Sequence, residues 1–289
     1  MNRTALRWWT KKLSRQGLAL TSWLSGTLAI SSWLAPAPRV RVLTYHRFGE
    51  RSRDPFCVSE ESFERQVAHL ARTGTAVGLD DVLACLDGHD ELPRDAVMVT
   101  IDDGYRSTRT LAQPILRRHG VPAVAFVSPS LIDAGEAADG QALPGEPEPY
   151  LSWAEVRALA DEGLTVGSHA WTHRSLGRMG LEEAAAEARR SREALEQRLG
   201  RPVLSFAYPY GTRADCSAEV AMRVRAAGYR VAFTSLHGAV HPGLDPFLLP
   251  RIKIESGESL LAFRLAARGG LDGWRAVDHM LWRLQVPEH

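Results

Sequence analysis

Four residues of this sequence have types and spacing suited to hydrolytic chemistry on a metal ion. Asp102 and Asp103 follow the apolar run at 96–101, and His169 and His173 lie four residues apart in SHAWTH. Adjacent carboxylates repel each other, and burying them is costly unless a partner neutralises them. If a dication binds one carboxylate and both imidazoles, a position for water stays open and the second carboxylate can act as a base.

The spacing of the two histidines also gives an expectation for local structure. Residues four apart share one face of an α-helix, so His169 and His173 on one helical turn could hold the same ion. Each half of the pattern has a simpler interpretation, because Asp favours polar turns and helix N-caps and two histidines can lie on a solvated helix face. The combination of both halves favours the metal site.

Strands that alternate with helices must position these side chains. Apolar and β-branched runs predict strands at 40–45, 96–101, 122–127, 164–169, 202–209, 229–234 and 247–254. Helical patterns cover 60–72, a segment ending near Gly120, the segment after the capping box of Ser152 and Glu155, 181–199 and 217–227, whereas 133–149 has the composition of a surface loop. This alternation predicts an α/β fold in which about seven parallel strands approach a barrel.

The polar candidates fall at the ends of predicted strands. His46 ends the first strand, Asp102 and Asp103 end the second, His169 ends a later one, and AYPYG at 207–211 ends another. In parallel α/β folds, functional residues gather where strands end and turn toward helices. We therefore expect these carboxylates and imidazoles to converge at one barrel mouth.

Composition excludes several other classes of protein. The 289 residues are 45% hydrophobic and 24% charged, as in ordinary globular domains, and the net charge of +1 gives no indication of nucleic-acid binding. Cys57, Cys85 and Cys216 are far apart and form no C-x-x-C pair. We expect them to be small buried hydrophobes, not zinc ligands or a disulfide framework.

The N-terminal segment, residues 1–38, differs from the rest of the chain. Several basic residues precede an uncharged stretch that ends before Arg39. This pattern is typical of a signal peptide or signal-anchor and is long enough to span a bilayer. We expect membrane contact here, with residues 16–38 spanning, cleaved or docking, and a soluble extension as the alternative. The expected location is the bacterial cell envelope or inner membrane, with the cytoplasm as the alternative.

The segments TIDDGY, SHAWTH and AYPYG resemble, in this order, the first three motifs of the polysaccharide deacetylases, the NodB-like carbohydrate esterases of family 4. LTYHRF, GYRVAFT and LPRIKI resemble a subgroup that includes exopolysaccharide N-deacetylases. The resemblance runs from about residue 40 to 255 and implies a distorted (β/α) barrel of the NodB type. It implies a catalytic domain at 39–255, between the segment 1–38 and a helical C-terminal tail at 256–289.

Carried over position by position, the resemblance implies a role for five residues. Asp102 would be the general base, and the backbone N–H of Tyr210 would stabilise the oxyanion. Asp103, His169 and His173 would bind a divalent metal, with zinc as the expected ion. The implied reaction is hydrolysis of an acetyl group by a metal-activated water. The expected substrate is an acetylated polysaccharide or oligosaccharide, with the N-acetyl group of an amino sugar favoured over an O-acetyl ester.

Two departures from the family pattern concern catalysis. An arginine that orients the base often stands two residues before the proline of the third motif, and here that position is Ala207. Arg251, at another predicted strand end, is our candidate replacement, with a structural ion pair as its alternative. The late motifs of the family are not recognisable. His46 is the preferred general acid because it ends the first strand, and His237 and His241 are alternatives.

Two competing functions stay open at the level of sequence. A hydrolase that cleaves another C–N bond on this scaffold without metal is disfavoured by the set of one aspartate and two histidines. A catalytically silent carbohydrate-binding relative is disfavoured because Asp102 is intact. Trp171, beside the histidines, would line a sugar subsite or belong to the core.

Overall fold

A computed structural model describes residues 38–50, 54–89 and 91–272, together with residues 17, 21 and 274. Nearly all of the predicted N-terminal segment, and the end of the predicted tail, lie outside these residues. Within the part of the chain that is described, we find no helix with the length and apolar character needed to cross a membrane.

The strands of the described chain form one large sheet and one short pair. Their bounds are β1 Val40–Tyr45, β2 Arg47–Phe48, β3 Cys57–Val58, β4 Ala96–Ile101, β5 Ala123–Val127, β6 Thr165–Ser168, β7 Ser205–Ala207, β8 Val231–Phe233 and β9 Ile252–Lys253. Seven of them pair in parallel in the order β8-β7-β6-β5-β4-β1-β9, and β2 pairs with β3. The predicted strands at 40–45 and 96–101 have the observed bounds, and the other five are longer than those observed.

One short segment links the two edges of the large sheet. Leu249 forms a parallel bridge with Phe233 of β8, and three residues later Ile252 pairs with Leu43 of β1. The sheet therefore curls into a half-barrel whose open side is crossed by this segment. The expected α/β fold, a distorted barrel of about seven parallel strands, is confirmed.

The helices surround this sheet. Their bounds are α1 Glu60–Thr73, α2 Leu79–Leu86, α3 Gln113–His119, α4 Pro129–Ala137, α5 Trp153–Asp161, α6 Leu181–Leu199, α7 Ala218–Ala226 and α8 Leu260–Ala267, with a π-helical turn at Thr108–Ala112 and a 3₁₀ turn at Leu176–Arg178. The capping box of Ser152 and Glu155 is present at the start of α5. The loop predicted at 133–149 is wrong at its beginning, because α4 starts with a proline, buries Ile132 and continues to Ala137.

The strand sequences are mostly apolar because both faces of the sheet are covered. Val42, Met98 and Phe126 belong to one buried cluster, and the alternating neighbours Leu43 and Val97 belong to a second. This alternation places one cluster inside the barrel and the other under the helices. As expected, the three cysteines are buried.

The described part of the C-terminal tail packs against the barrel. Phe263 of α8 is fully buried in the core, and Asp272 accepts a hydrogen bond of 3.0 Å from the buried Arg41 of β1. The limits proposed for the three parts of the chain, at residues 38 and 255, stay a prediction.

Candidate active site

The backbone at several strand ends is held by its neighbours just beyond the last strand residue. Asp102 N, after β4, donates to Tyr45 O at 2.9 Å, and His169 N, after β6, donates to Val127 O at 2.9 Å. His169 O in turn accepts a hydrogen bond of 2.6 Å from Ser128 Oγ. The parallel ladder thus fixes the positions from which the candidate side chains leave the sheet.

Asp103, His169 and His173 converge as predicted. Each offers one ligand atom, and these atoms lie within 4.8 Å of one another. Asp103 Oδ1 is 3.4 Å from His169 Nε2 and 3.1 Å from His173 Nε2. One carboxylate oxygen and two imidazole nitrogens are donors that zinc and similar divalent ions accept. We call these three residues the triad.

The ring of His169 is fixed by a backbone carbonyl. His169 Nδ1 lies 2.7 Å from Ala207 O, and a carbonyl oxygen can only accept, so the proton belongs on Nδ1. Nε2 then presents its lone pair to the centre of the triad, which is the tautomer that a metal ligand needs. Ala207, which stands where members of that family often have an arginine, therefore orients His169 through its backbone carbonyl.

The expectation that both histidines lie on one helical turn is wrong. They lie in an irregular loop in which Ala170 and His173 have left-handed backbone conformations, with φ of 61° and 60°. Glu187 of α6 anchors this loop by accepting hydrogen bonds from Thr172 N at 2.8 Å and Thr172 Oγ1 at 3.0 Å. The i, i+4 spacing brings the rings together through this anchored loop instead of a helix.

Sequence reasoning missed Glu187. It is buried on a face of α6 that also buries Ala184, Ala188 and Ser191. A single acidic residue on an otherwise uncharged buried face is the signal that could have identified it, because a buried carboxylate needs a polar partner.

Asp102 is held by Arg251. The guanidinium donates from NH1 to Oδ1 at 2.8 Å and from NH2 to Oδ2 at 2.7 Å, and both side chains are buried. Arg251 Nε donates to Thr234 O at 2.8 Å, which fixes the guanidinium plane. Asp102 Oδ2 still lies 4.0 Å from His169 Nε2. Asp102 thus borders the triad, and its orientation is set by Arg251.

The charges of the site compensate one another. Burial raises the pKa of Asp102, but the positive charge of Arg251 outweighs this and leaves the pKa below its usual value. Burial likewise raises the pKa of Asp103, and its close contacts with the rings of His169 and His173 lower it well below the usual range. Both carboxylates are therefore ionised at neutral pH.

His46 lies beside these carboxylates. Its ring centroid is 5.0 Å from that of Phe56, and its buried Nδ1 atom has no hydrogen-bond partner among the residues that the structure describes. Burial lowers the pKa of His46 to about 4, against the opposing effects of Asp103 and Asp102. The resting imidazole is therefore neutral at pH 7.

The remaining candidates are Tyr210, the expected oxyanion donor, and the alternative acids His237 and His241. The left-handed Tyr210 has a φ of 62°, and its ring centroid lies 5.5 Å from that of His173. The ring of His237 lies 6.2 Å from that of Trp274, and His241 Nδ1 lies 2.7 Å from Pro242 O.

Trp171 is expected from the sequence either to line a sugar subsite or to belong to the core. Its side chain is half-buried, and the guanidinium of Arg190 lies 4.5 Å from its ring centroid. One part of the aromatic surface is thus used for a contact within the protein.

Comparisons with known proteins agree with this geometry. A family model described as polysaccharide deacetylase matches residues 89–232. The chain is 22% identical over 237 residues to YxkH of Bacillus subtilis, named as a polysaccharide deacetylase, with 81% of this chain and 78% of that protein covered. It is 30% identical over 137 residues to the poly-beta-1,6-N-acetyl-D-glucosamine N-deacetylase of Escherichia coli K12, covering 45% of this chain and only 20% of that protein.

Solved structures share the fold. IcaB from Ammonifex degensii gives a TM-score of 0.67 at 24% identity, covering 81% of this chain and 97% of that one. The Streptococcus pyogenes deacetylase PplD, solved with acetate, gives 0.66 at 20% identity, covering 76% and 94%. The family match spans the strand ends that carry the aspartate pair, the two histidines and Tyr210. On this evidence, the chain belongs to the polysaccharide deacetylase family of hydrolases.

Proposed function

We propose that this protein is a metal-dependent deacetylase that removes N-acetyl groups from an amino-sugar polysaccharide or its precursor. The observation that carries the proposal is that the ligand atoms of the triad lie within 4.8 Å of one another. Asp102 lies next to them and is held separately by Arg251. The named activity of the Escherichia coli relative supports the choice of an N-acetylated amino sugar.

The residues of the triad fit a divalent cation, and zinc is the ion that we propose. Two imidazole nitrogens and one carboxylate oxygen form a set typical of catalytic zinc sites, and the carbonyl of Ala207 already holds His169 in the required tautomer. When bound, such an ion polarises a carbonyl oxygen and lowers the pKa of a water molecule. The protein residues perform the remaining steps.

Asp102 is proposed as the general base. It accepts a proton from the water that attacks the acetyl carbon. Its carboxylate is ionised at neutral pH, and the two hydrogen bonds from Arg251 fix the direction of its oxygen atoms. A base must lie within hydrogen-bond reach of the proton it removes, so this orientation is part of its function.

Tyr210 and His46 are proposed to complete the reaction. The Tyr210 N–H donates to the carbonyl oxygen as negative charge develops there. The C–N bond then breaks, the nitrogen takes a proton from His46, and the products are acetate and a free amine. Because the resting imidazole is neutral, we propose that His46 takes up this proton from solvent when substrate is bound and negative charge builds up nearby. Asp102 releases its own proton to solvent as the products leave, which returns both residues to their resting states.

Acetate release from a panel of acetylated glycans tests the proposal. The panel contains chitin oligomers, poly-N-acetylglucosamine, peptidoglycan and acetylated xylan, each assayed after chelation and after zinc is added back. We expect release from an amino-sugar polymer that is lost with chelator and restored by zinc. Asp102→Asn should abolish it, whereas His119→Ala, a histidine that pairs with Glu64 elsewhere, should not.

Other results identify the competing functions. Hydrolysis of a C–N bond that is unaffected by complete metal removal would favour the metal-independent hydrolase. Glycan binding by a zinc-loaded protein that releases no acetate from any member of the panel would favour the silent relative. Release from acetylated xylan alone would replace the N-acetyl substrate with an O-acetyl ester.

We also propose that residues 1–38 bring the enzyme to a membrane at the cell envelope, where its polysaccharide substrate or a lipid-linked precursor would be found. The basic start and the following uncharged stretch support this. After fractionation of cells that make the full chain, the protein should remain in membranes washed with carbonate at high pH. Complete release into the wash would contradict stable anchoring.

A further inference from the structure

A buried carboxylate between the loops that follow β6 and β7 has no role in the mechanism above. Asp215, in the loop that follows β7, is 3% exposed. Its Oδ1 accepts a hydrogen bond from Ser175 Oγ. Its Oδ2 accepts hydrogen bonds from Thr212 N at 2.9 Å and from Thr212 Oγ1 at 2.5 Å. All three donors are neutral groups. Ser175 lies in the loop that follows β6, and Thr212 lies in the same loop as Asp215, after β7.

These two segments are the loops that carry two proposed functional groups. Ser175 comes two residues after His173, in the loop that follows β6. Thr212 comes two residues after Tyr210, in the loop that follows β7. The side chain of Asp215 therefore links the loop of a metal ligand to the loop of the oxyanion donor.

The backbones of the two loops also touch. A Cβ atom added to Gly177 would lie 1.8 Å from Ala214 O, so only glycine permits the observed approach at that point. This contact lies next to the hydrogen bonds of Asp215 in both segments. The link is thus a packed junction and not a single flexible contact.

Both proposed functional residues have a backbone that needs support. His173 and Tyr210 have φ of 60° and 62°, a region that residues with side chains rarely occupy. Such conformations persist where the surrounding structure holds them in place, and they are concentrated at functional sites. The hydrogen bonds of Asp215 lie two residues from each of them.

We propose that Asp215 is a positioning residue that sets the placement of His173 relative to Tyr210. It acts through Ser175 and Thr212 and would not touch the substrate. The inference rests on the proposed function, because it assumes that His173 binds the metal and that the Tyr210 N–H stabilises the oxyanion. It adds that the two groups share one support, so a single change should weaken metal binding and turnover together.

Asp215→Asn is the decisive variant because it changes chemistry without changing volume. An aspartate offers acceptors on both sides of its carboxylate, whereas an asparagine offers one oxygen and one NH₂ donor. One of the two loops then faces a donor and loses its acceptor. Ser175→Ala removes the hydrogen bond to Oδ1, and Thr212→Val removes the hydroxyl donor to Oδ2 while the backbone N–H of residue 212 still donates.

Two measurements made well below the melting temperature test the proposal. Loss of a group that orients a metal ligand typically lowers metal affinity or activity about 10–100-fold. We expect Asp215→Asn to raise the zinc Kd, measured by chelator competition, by about that factor and also to lower kcat with little change in KM. Ser175→Ala should mainly affect the zinc Kd, and Thr212→Val should mainly affect kcat.

The control is Asp245→Asn, since Asp245 also accepts a backbone N–H, from Phe247 at 2.9 Å, but in the segment between β8 and β9. It should leave the zinc Kd and kcat unchanged. If Asp215→Asn only lowers the melting temperature and matches wild type in both measurements, the carboxylate has a purely structural role and the inference is wrong. Wild-type protein that neither binds zinc nor releases acetate would instead refute the proposed function, and the inference with it.

Discussion

Arg251 donates two parallel hydrogen bonds to Asp102, of 2.8 and 2.7 Å, across a separation of 149 residues in the sequence. The arginine belongs to the segment that joins the two edges of the sheet, since its own N–H donates to Leu236 O and its Nε donates to Thr234 O. Barrel closure and orientation of the proposed base therefore depend on the same few residues. The position of the family arginine, Ala207, is fully buried and supports His169 instead.

Replacing Arg251 should raise the pKa of Asp102. The arginine is the group that outweighs burial, so in Arg251→Gln the burial effect prevails and the carboxyl is protonated at higher pH. Because the base must be ionised, the acidic limb of the pH profile of kcat/KM should move to higher pH. Loss of one partner of a buried ion pair should also lower stability by about 3–5 kcal/mol.

Two further variants separate charge from stability. Arg251→Lys keeps the charge and loses the paired geometry, so its acidic limb should lie between those of wild type and Arg251→Gln. Arg41→Gln removes another buried arginine, at the beginning of β1, whereas the site lies beyond the ends of the strands. It should lower stability and leave the acidic limb of the pH profile unchanged. An acidic limb of Arg251→Gln that coincides with the wild-type one would show that the arginine does not set the state of Asp102.

Zinc should bind one site and stabilise the fold. A ligand at 100 times its Kd adds about 2.7 kcal/mol to the free energy of unfolding, which calorimetry detects as a higher melting temperature. His173→Ala and Asp103→Asn should lose most of this effect, because each removes one of three donors. His119→Ala should keep it. An undiminished zinc-induced shift in both triad variants would place the metal elsewhere.

His46→Ala should remove the basic limb of the pH profile of kcat. A general acid works only when protonated, so the rate normally falls as the pH rises past its pKa in the substrate complex. Its loss should lower kcat by about 10²–10⁴-fold. His237→Ala is the comparison, and it should retain both limbs. If the basic limb disappears in His237→Ala and persists in His46→Ala, the general acid is His237.

Gly211→Ala should disturb the loop that carries Tyr210. Gly211 has a φ of 63°, and an added Cβ would lie 2.6 Å from Ser235 N, which is backbone and cannot swing away. We expect a lower kcat together with a lower melting temperature. Gly200→Ala is a matched control, because its φ is 66° and nothing lies within 4 Å of the added atom. It should cost about 1–2 kcal/mol of stability and leave kcat intact.

The fold class and the candidate residues could be predicted from the residue pattern together with the family resemblance. Strands β1 and β4 are buried on both faces, so their mostly apolar, β-branched runs predicted the observed bounds at 40–45 and 96–101. The polar residues that follow parallel strands necessarily emerge at one end of the sheet. That rule predicted that the aspartate pair and the imidazoles would converge, and the family resemblance implied that Asp103 is the carboxylate that joins His169 and His173.

The contacts that hold these residues could not be predicted from the sequence. Hydrophobic periodicity reports which side of an element is buried and does not report its partner. The Glu187 anchor, the Asp215 junction and the left-handed backbone of His173 depend on contacts between separate elements. Spacing alone favoured a helical turn for the histidines, because it describes an isolated helix. Their real geometry follows from the loop being tied to α6 and to the loop after β7, which no local pattern encodes.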